Sequence, residues 1–116
     1  MQFHKLISKA LKFREDRDWK QFHSARNIAL SIVLEAAELL EIFQWKSDKE
    51  SKDLTLVPEE KEKISDELAD IFLYSILMAN DLGIDIMEAA DKKIDKNAKK
   101  YPIHKSKGKA LKYTEF

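Results

Sequence analysis

The stretch IALSIVLEAAELLEIFQW, Ile28 to Trp45, decides the fold. Its only non-apolar positions are Ser31, Glu35, Glu38, Glu41 and Gln44. An apolar arc this broad exceeds a single stripe and marks a helix covered on most sides. A second stretch, DELADIFLYSILM from Asp66 to Met78, repeats the pattern, because from Leu68 onward only Asp70, Tyr74 and Ser75 interrupt the apolar run. Each stretch carries two carboxylates three residues apart, Glu35 with Glu38 and Glu67 with Asp70. Residues at that spacing share a helix face about 5–6 Å apart, so each pair can hold a cation if the two helices face each other.

Acids at this spacing also occur on solvated helix faces, and Glu41 extends the first row outward. The apolar surroundings weigh against that reading. Converging carboxylates repel by about 4 kcal/mol per close pair at an effective dielectric near 20, a cost that a cation relieves. The set is all oxygen, with no cysteine and no Glu-x-x-His anywhere in the chain. Such ligands suit a hard ion, Mg²⁺ or Mn²⁺, better than zinc, and they lack the histidines of the dimetal carboxylate bundles.

Outward from these two stretches the chain reads as four helices. Phe3, Leu6, Ile7, Ala10, Leu11 and Phe13 write an amphipathic first helix that ends near Arg17. Asp18 to His23 is a connector, and Ser24 is an N-cap for a second helix reaching Trp45. The polar segment Ser47 to Leu56 reads as a loop. Pro58 suits the first position of a third helix, Glu59 and Glu60 favour its first turn, and Gly83 caps its end near Leu82. Asp85 with Glu88 is a variant capping box opening a fourth helix that halts before Pro102. The expectation is an all-α four-helix bundle, one domain over residues 1–102 with a polar, lysine-rich tail at 103–116. Its apolar surface exceeds what one small bundle covers, which predicts a homodimer or homotetramer.

Composition narrows the chemistry. Twenty-one basic residues balance twenty-one acidic ones, so no global field attracts a nucleic-acid polymer, although lysines crowd the last quarter of the chain. No stretch has the length of a membrane span and no signal-peptide pattern opens the chain, which predicts a cytoplasmic protein without a membrane partner. With two glycines there is no phosphate-cradling loop. His4, His23 and His104 have no evident Ser or Cys partner for a nucleophilic triad. What remains is metal-assisted chemistry by carboxylates.

The same residues resemble a known family, the MazG-like all-α nucleoside triphosphate pyrophosphohydrolases. Their signature is Glu-x-x-Glu, a spacer, then Glu-x-x-Asp, and here the spacer from Leu39 through Asp66 is 28 residues. RDWKQFHSARN (Arg17 to Asn27), EAAELLEIFQWK (Glu35 to Lys46), DELADIFLY (Asp66 to Tyr74), KIDKNAKKYP (Lys93 to Pro102) and the terminal KYTEF look like the dCTP pyrophosphatase branch. The resemblance implies cleavage between the α and β phosphates to a monophosphate and pyrophosphate, with Mg²⁺ held by Glu35, Glu38, Glu67 and Asp70. It implies that the ion neutralises the triphosphate and activates the attacking water, with Glu38, and Glu35 beside it, as the catalytic carboxylates.

It further implies that Lys93, Asn97 and Tyr101, on one face of the fourth helix, engage triphosphate and sugar, and that Trp19 and Trp45 wall the base. His23 and Asn27 belong to the same matched stretch as candidate ligands of base or phosphate. Each has a plainer reading: a solvated lysine, a packing tyrosine, core tryptophans, a structural histidine. One position departs from the pattern. Animal members carry a base-contacting histidine nine residues before the first tryptophan, where this chain has Ala10. The loss of that hydrogen-bonding group predicts broader selection among dCTP, its 5-modified forms and other triphosphates, and the runner-up within the enzyme class is a sibling with dUTP or a broad range of triphosphates as substrate. The rival from another class is a non-catalytic helical dimer acting as an interaction module.

Overall fold

The computed structural model describes all 116 residues, and every regular element is helical. The helices are α1 (Phe3–Asp16), α2 (Ala25–Phe43), α3 (Asp48–Asp53), α4 (Pro58–Asp81), α5 (Ile86–Lys100) and α6 (Ile103–Ser106). Short 3₁₀ turns occupy Lys20–Phe22, Leu54–Leu56 and Tyr113–Glu115. The all-α class is therefore as expected, and α1, α2, α4 and α5 are the four helices read from the sequence. The chain divides into two compact units, Met1–Gly83 and Ile84–Phe116.

In the first unit α2 and α4 form the most extensive pairing, and α1 lies against α4 over a shorter length. Ser24 caps α2 by accepting a hydrogen bond from the Asn27 amide at 3.1 Å, which fixes where the helix begins. Pro58 opens α4, and Gly83 follows its end with φ of +68°, a left-handed conformation that glycine adopts without strain. The core is small: Ile28 and Ile76 are each 1 % exposed, and burying side chains of this kind contributes about 2–3 kcal/mol apiece. Arg14 is buried as well and makes a bidentate ion pair with Asp81, at 2.8 and 2.7 Å, that fastens α1 to the end of α4.

One expectation changes. The segment Ser47 to Leu56 is not a loop but α3 followed by a 3₁₀ turn. A complete capping box holds it, the Ser47 hydroxyl accepting from the Glu50 amide at 3.2 Å and the Glu50 carboxylate from the Ser47 amide at 3.1 Å. Local hydrogen bonding here outweighs the absence of an apolar face. The apolar surface of α2 exceeds what the chain itself covers, in line with the sequence: Val33, Leu34 and Leu40 are 64, 63 and 62 % exposed.

In the second unit Asp85 caps α5, accepting from the Glu88 amide at 3.1 Å. The Glu88 carboxylate instead meets Lys92 at 2.8 Å, so the capping box is half formed. Beyond α5 the tail folds back on itself, and Tyr113 and Phe116 set their rings edge-on to Tyr101 at 6.0 and 5.8 Å.

Candidate active site

The pairing of α2 with α4 brings Glu35, Glu38 and Glu67 together, one carboxylate oxygen from each lying within 4.8 Å of the others. The i,i+3 spacing on α2 puts Glu35 and Glu38 one turn apart, and α4 supplies Glu67 from across the interface. Glu35 and Glu67 approach within hydrogen-bonding reach, which two ionised carboxylates cannot do. The Glu35 carboxyl is accordingly pushed up to about 8, first by its hydrogen bond with Glu67, then by burial, and then by Glu38 and the charge of Asp70. One oxygen each of Glu35 and Glu67 is buried without a hydrogen-bond partner. Such orphaned oxygens are costly unless a hydrogen bond or cation meets them, and an all-carboxylate donor set matches a hard divalent ion.

Asp70 stands beside this trio rather than within it. It adds its charge to Glu35 and opens onto a cavity of about 480 Å³ between α1 and α4. Trp19, Phe13, Ala10, His23 and Tyr74 wall that cavity, and Arg14 contributes to its lining. Trp19 sits edge-on to Phe13 at 5.7 Å, and the Arg17 guanidinium lies over the Phe13 ring at 3.8 Å, so the aromatic wall is braced from outside. His23 packs edge-on to Tyr74 at 6.3 Å, and its Nδ1 is buried without a partner. Burial, and then the neighbouring Arg14 charge, push its imidazole pKa down, which favours the neutral ring.

A second cavity of about 450 Å³ adjoins the cluster on its other side. Glu38, Glu41, Glu60 and Glu67 line it together with Lys46 and Lys63.

The remaining residues singled out in the sequence are elsewhere. Asn27 spends its side-chain amide on the Phe22 carbonyl at 3.1 Å, tying the Lys20–Phe22 turn to α2, and does not line the aromatic cavity. Trp45 is 87 % exposed just beyond α2 and does not share the cavity of Trp19. Lys93 and Asn97 are exposed on α5, and Tyr101 at its end is half-buried against Tyr113 and Phe116. Sequence reasoning passed over Arg14, Asp81, Tyr74 and Lys63. Arg14 and Asp81 had a signal: each follows an apolar position, Ala10 or Leu77, by four residues and so extends a core-facing row with a charge.

The profile of the MazG-like family matches residues 30–116. Over 104 residues, 90 % of this chain, the sequence is 41 % identical to dCTP pyrophosphatase 1 of Mus musculus and 38 % identical to dCTP pyrophosphatase 1 of Homo sapiens. The match spans 61 % of the length of these relatives. A crystal structure of a pyrophosphatase from Archaeoglobus fulgidus superposes with a TM-score of 0.76 at 34 % identity, covering 85 % of this chain and 91 % of that one. The fold, the paired carboxylate helices and these matches agree that the chain belongs to the MazG-like family.

Proposed function

We propose that the chain is a Mg²⁺-dependent nucleoside triphosphate pyrophosphohydrolase that cleaves between the α and β phosphates, acting on dCTP and modified dCTP in nucleotide-pool sanitation. The observation that carries this reading is the Glu35, Glu38 and Glu67 cluster with its two buried, unpartnered oxygens. A non-catalytic interaction module has no need of such a cluster, because mutually repelling, partly buried carboxylates only destabilise a fold. The similarity to dCTP pyrophosphatases supports the substrate class.

Glu35, Glu38, Glu67 and the adjacent Asp70 would hold the Mg²⁺, with Mn²⁺ an acceptable substitute in the same oxygen set. When bound, the ion supplies charge neutralisation for the phosphates and activation of water. Glu38, the exposed member of the trio, accepts the proton of the water that attacks the α-phosphorus. The bond from that phosphorus to the bridging oxygen breaks, and pyrophosphate leaves with the electron pair. Trp19 offers a face for the base, and the unpartnered Nδ1 of His23 offers a polar contact to its edge. Lys93, Asn97 and Tyr101 are assigned to triphosphate and sugar by their sequence pattern alone.

A second reading, with dUTP or a broader range of triphosphates as substrate, is favoured by Ala10. Its methyl group lines the aromatic cavity, so this position offers no hydrogen bond to distinguish one base edge from another. The exposed row on α2 supports a homodimer or homotetramer. Pyrophosphate release from a panel of canonical and modified triphosphates tests the whole proposal. The expected outcome is Mg²⁺-dependent release with a cytosine preference, reduced at least about a hundredfold in Glu38→Ala and Asp70→Ala. Absence of release from every nucleotide by the folded wild type refutes it.

A further inference from the structure

The two cavities give the carboxylate cluster a direction. Asp70 opens onto the aromatic cavity of Trp19, His23 and Tyr74, whereas Glu38 and Glu67 line the charged one. The cations in that charged cavity are Lys46, just beyond α2, and Lys63, on α4. They reach it from two separate parts of the chain, the segment after α2 and the first half of α4. Lys63 stands one turn before Glu67, about 6 Å along the helix axis, whereas Asp70 lies in the opposite direction. Glu67, which lines the charged cavity, has one oxygen buried and unpartnered. Lys61, two residues from Lys63 on the same helix, does not reach either cavity.

Resting on the function proposed above, we propose that Lys63 and Lys46 form the seat of the leaving pyrophosphate. The nucleoside end lies in the aromatic cavity, the α-phosphorus at the carboxylate cluster, and the β- and γ-phosphates in the charged cavity. The α-phosphorus gains the oxygen of the attacking water and loses the bridging oxygen. That oxygen departs on pyrophosphate with the bonding electron pair, and the water's proton passes to Glu38. Negative charge therefore grows on the side of the cluster where the two ammonium groups stand. Charge-assisted hydrogen bonds that strengthen as this charge develops lower the barrier rather than merely tightening binding.

Lys63 is free to take this part. Its ion pair is with Glu60 at 3.2 Å, with the lysine side chain 64 % exposed and the half-buried glutamate 32 % exposed. Such exposed pairs are weak, so the ammonium can turn to a phosphate at little cost. The carboxylates lining the cavity outnumber the lysines. Pyrophosphate therefore enters only together with the cation that the cluster takes, which links product affinity to the metal.

The test is calorimetric titration of the full chain with inorganic pyrophosphate, and separately with a nucleoside monophosphate, in the presence of Mg²⁺. Replacing both lysines, Lys46→Met with Lys63→Met, is expected to weaken pyrophosphate binding by at least roughly tenfold, the worth of one charge-assisted hydrogen bond. Monophosphate binding stays unchanged, Lys63→Arg keeps most of the affinity, and Lys61→Met behaves as wild type. In turnover the double variant loses kcat and kcat/KM together. A double variant with a wild-type thermal midpoint that binds pyrophosphate as tightly as before overturns the proposal, as does an equal loss of monophosphate. A wild type that hydrolyses triphosphate yet shows no dependence on these lysines removes the seat and leaves the reaction standing. A wild type that hydrolyses nothing removes the reaction itself.

Discussion

Glu35 keeps its proton up to about pH 8 because Glu67, burial, Glu38 and Asp70 all disfavour its anion. In the unfolded chain the same group ionises at the ordinary value of 4.5. Between these two values the folded state binds more protons than the unfolded one, so metal-free stability falls as pH rises through this window. A thermal midpoint that declines from pH 6 to pH 9 without metal, and no longer does so in Glu35→Gln, is the expected result. Mg²⁺ competes with that proton, so the stabilisation it confers grows over the same range. Arg14 and Asp81 act by a different route. The pair is largely buried, with 4 and 16 % of the two side chains exposed, and removing one partner strands the other. Arg14→Met is expected to cost about 3 kcal/mol in urea denaturation, and adding Asp81→Leu to recover a good part of it. Both partners were visible in the sequence as charges on core-facing rows, but only the folded chain shows that the rows meet.

Among the elements, α3 is the clearest case of local chemistry overriding composition. Its sequence, DKESKD, has no apolar face, and the helix exists through the reciprocal Ser47 and Glu50 hydrogen bonds. Ser47→Ala removes one of them and is expected to destabilise α3 by about 1 kcal/mol. Faster hydrogen exchange at the Ser51 amide, which donates to the Ser47 carbonyl, with α2 and α4 unaffected, is the measurement that reads it. The Ser-x-x-Glu pattern was present in the sequence, but the signature ordinarily precedes an apolar run and here it does not. The longer helices were legible because α2 and α4 combine strong apolar patterning with end signals at Ser24, Pro58 and Gly83.

For the whole molecule, the exposed row of Leu30, Val33, Leu34 and Leu40 on α2 is more apolar surface than an isolated small protein ordinarily leaves bare. Leu34→Glu places a charge in that row and is expected to shift the sedimentation coefficient from an oligomer to a monomer, with helicity retained. The sequence by itself determined the all-α class, the extents of the long helices and the two carboxylate pairs, because helical periodicity and i,i+3 spacing depend only on positions close in the chain. Tertiary structure decided which of these groups meet. It joined Glu35, Glu38 and Glu67 while setting Asp70 in the lining of a cavity, parted Trp19 from Trp45, committed Asn27 to a backbone carbonyl, and brought Lys46 and Lys63 to the lining of one space. Contacts between helices depend on how far each is rotated and shifted against its neighbour. That is settled by the packing of side chains such as Ile28 and Ile76 at the interface, which no local pattern records.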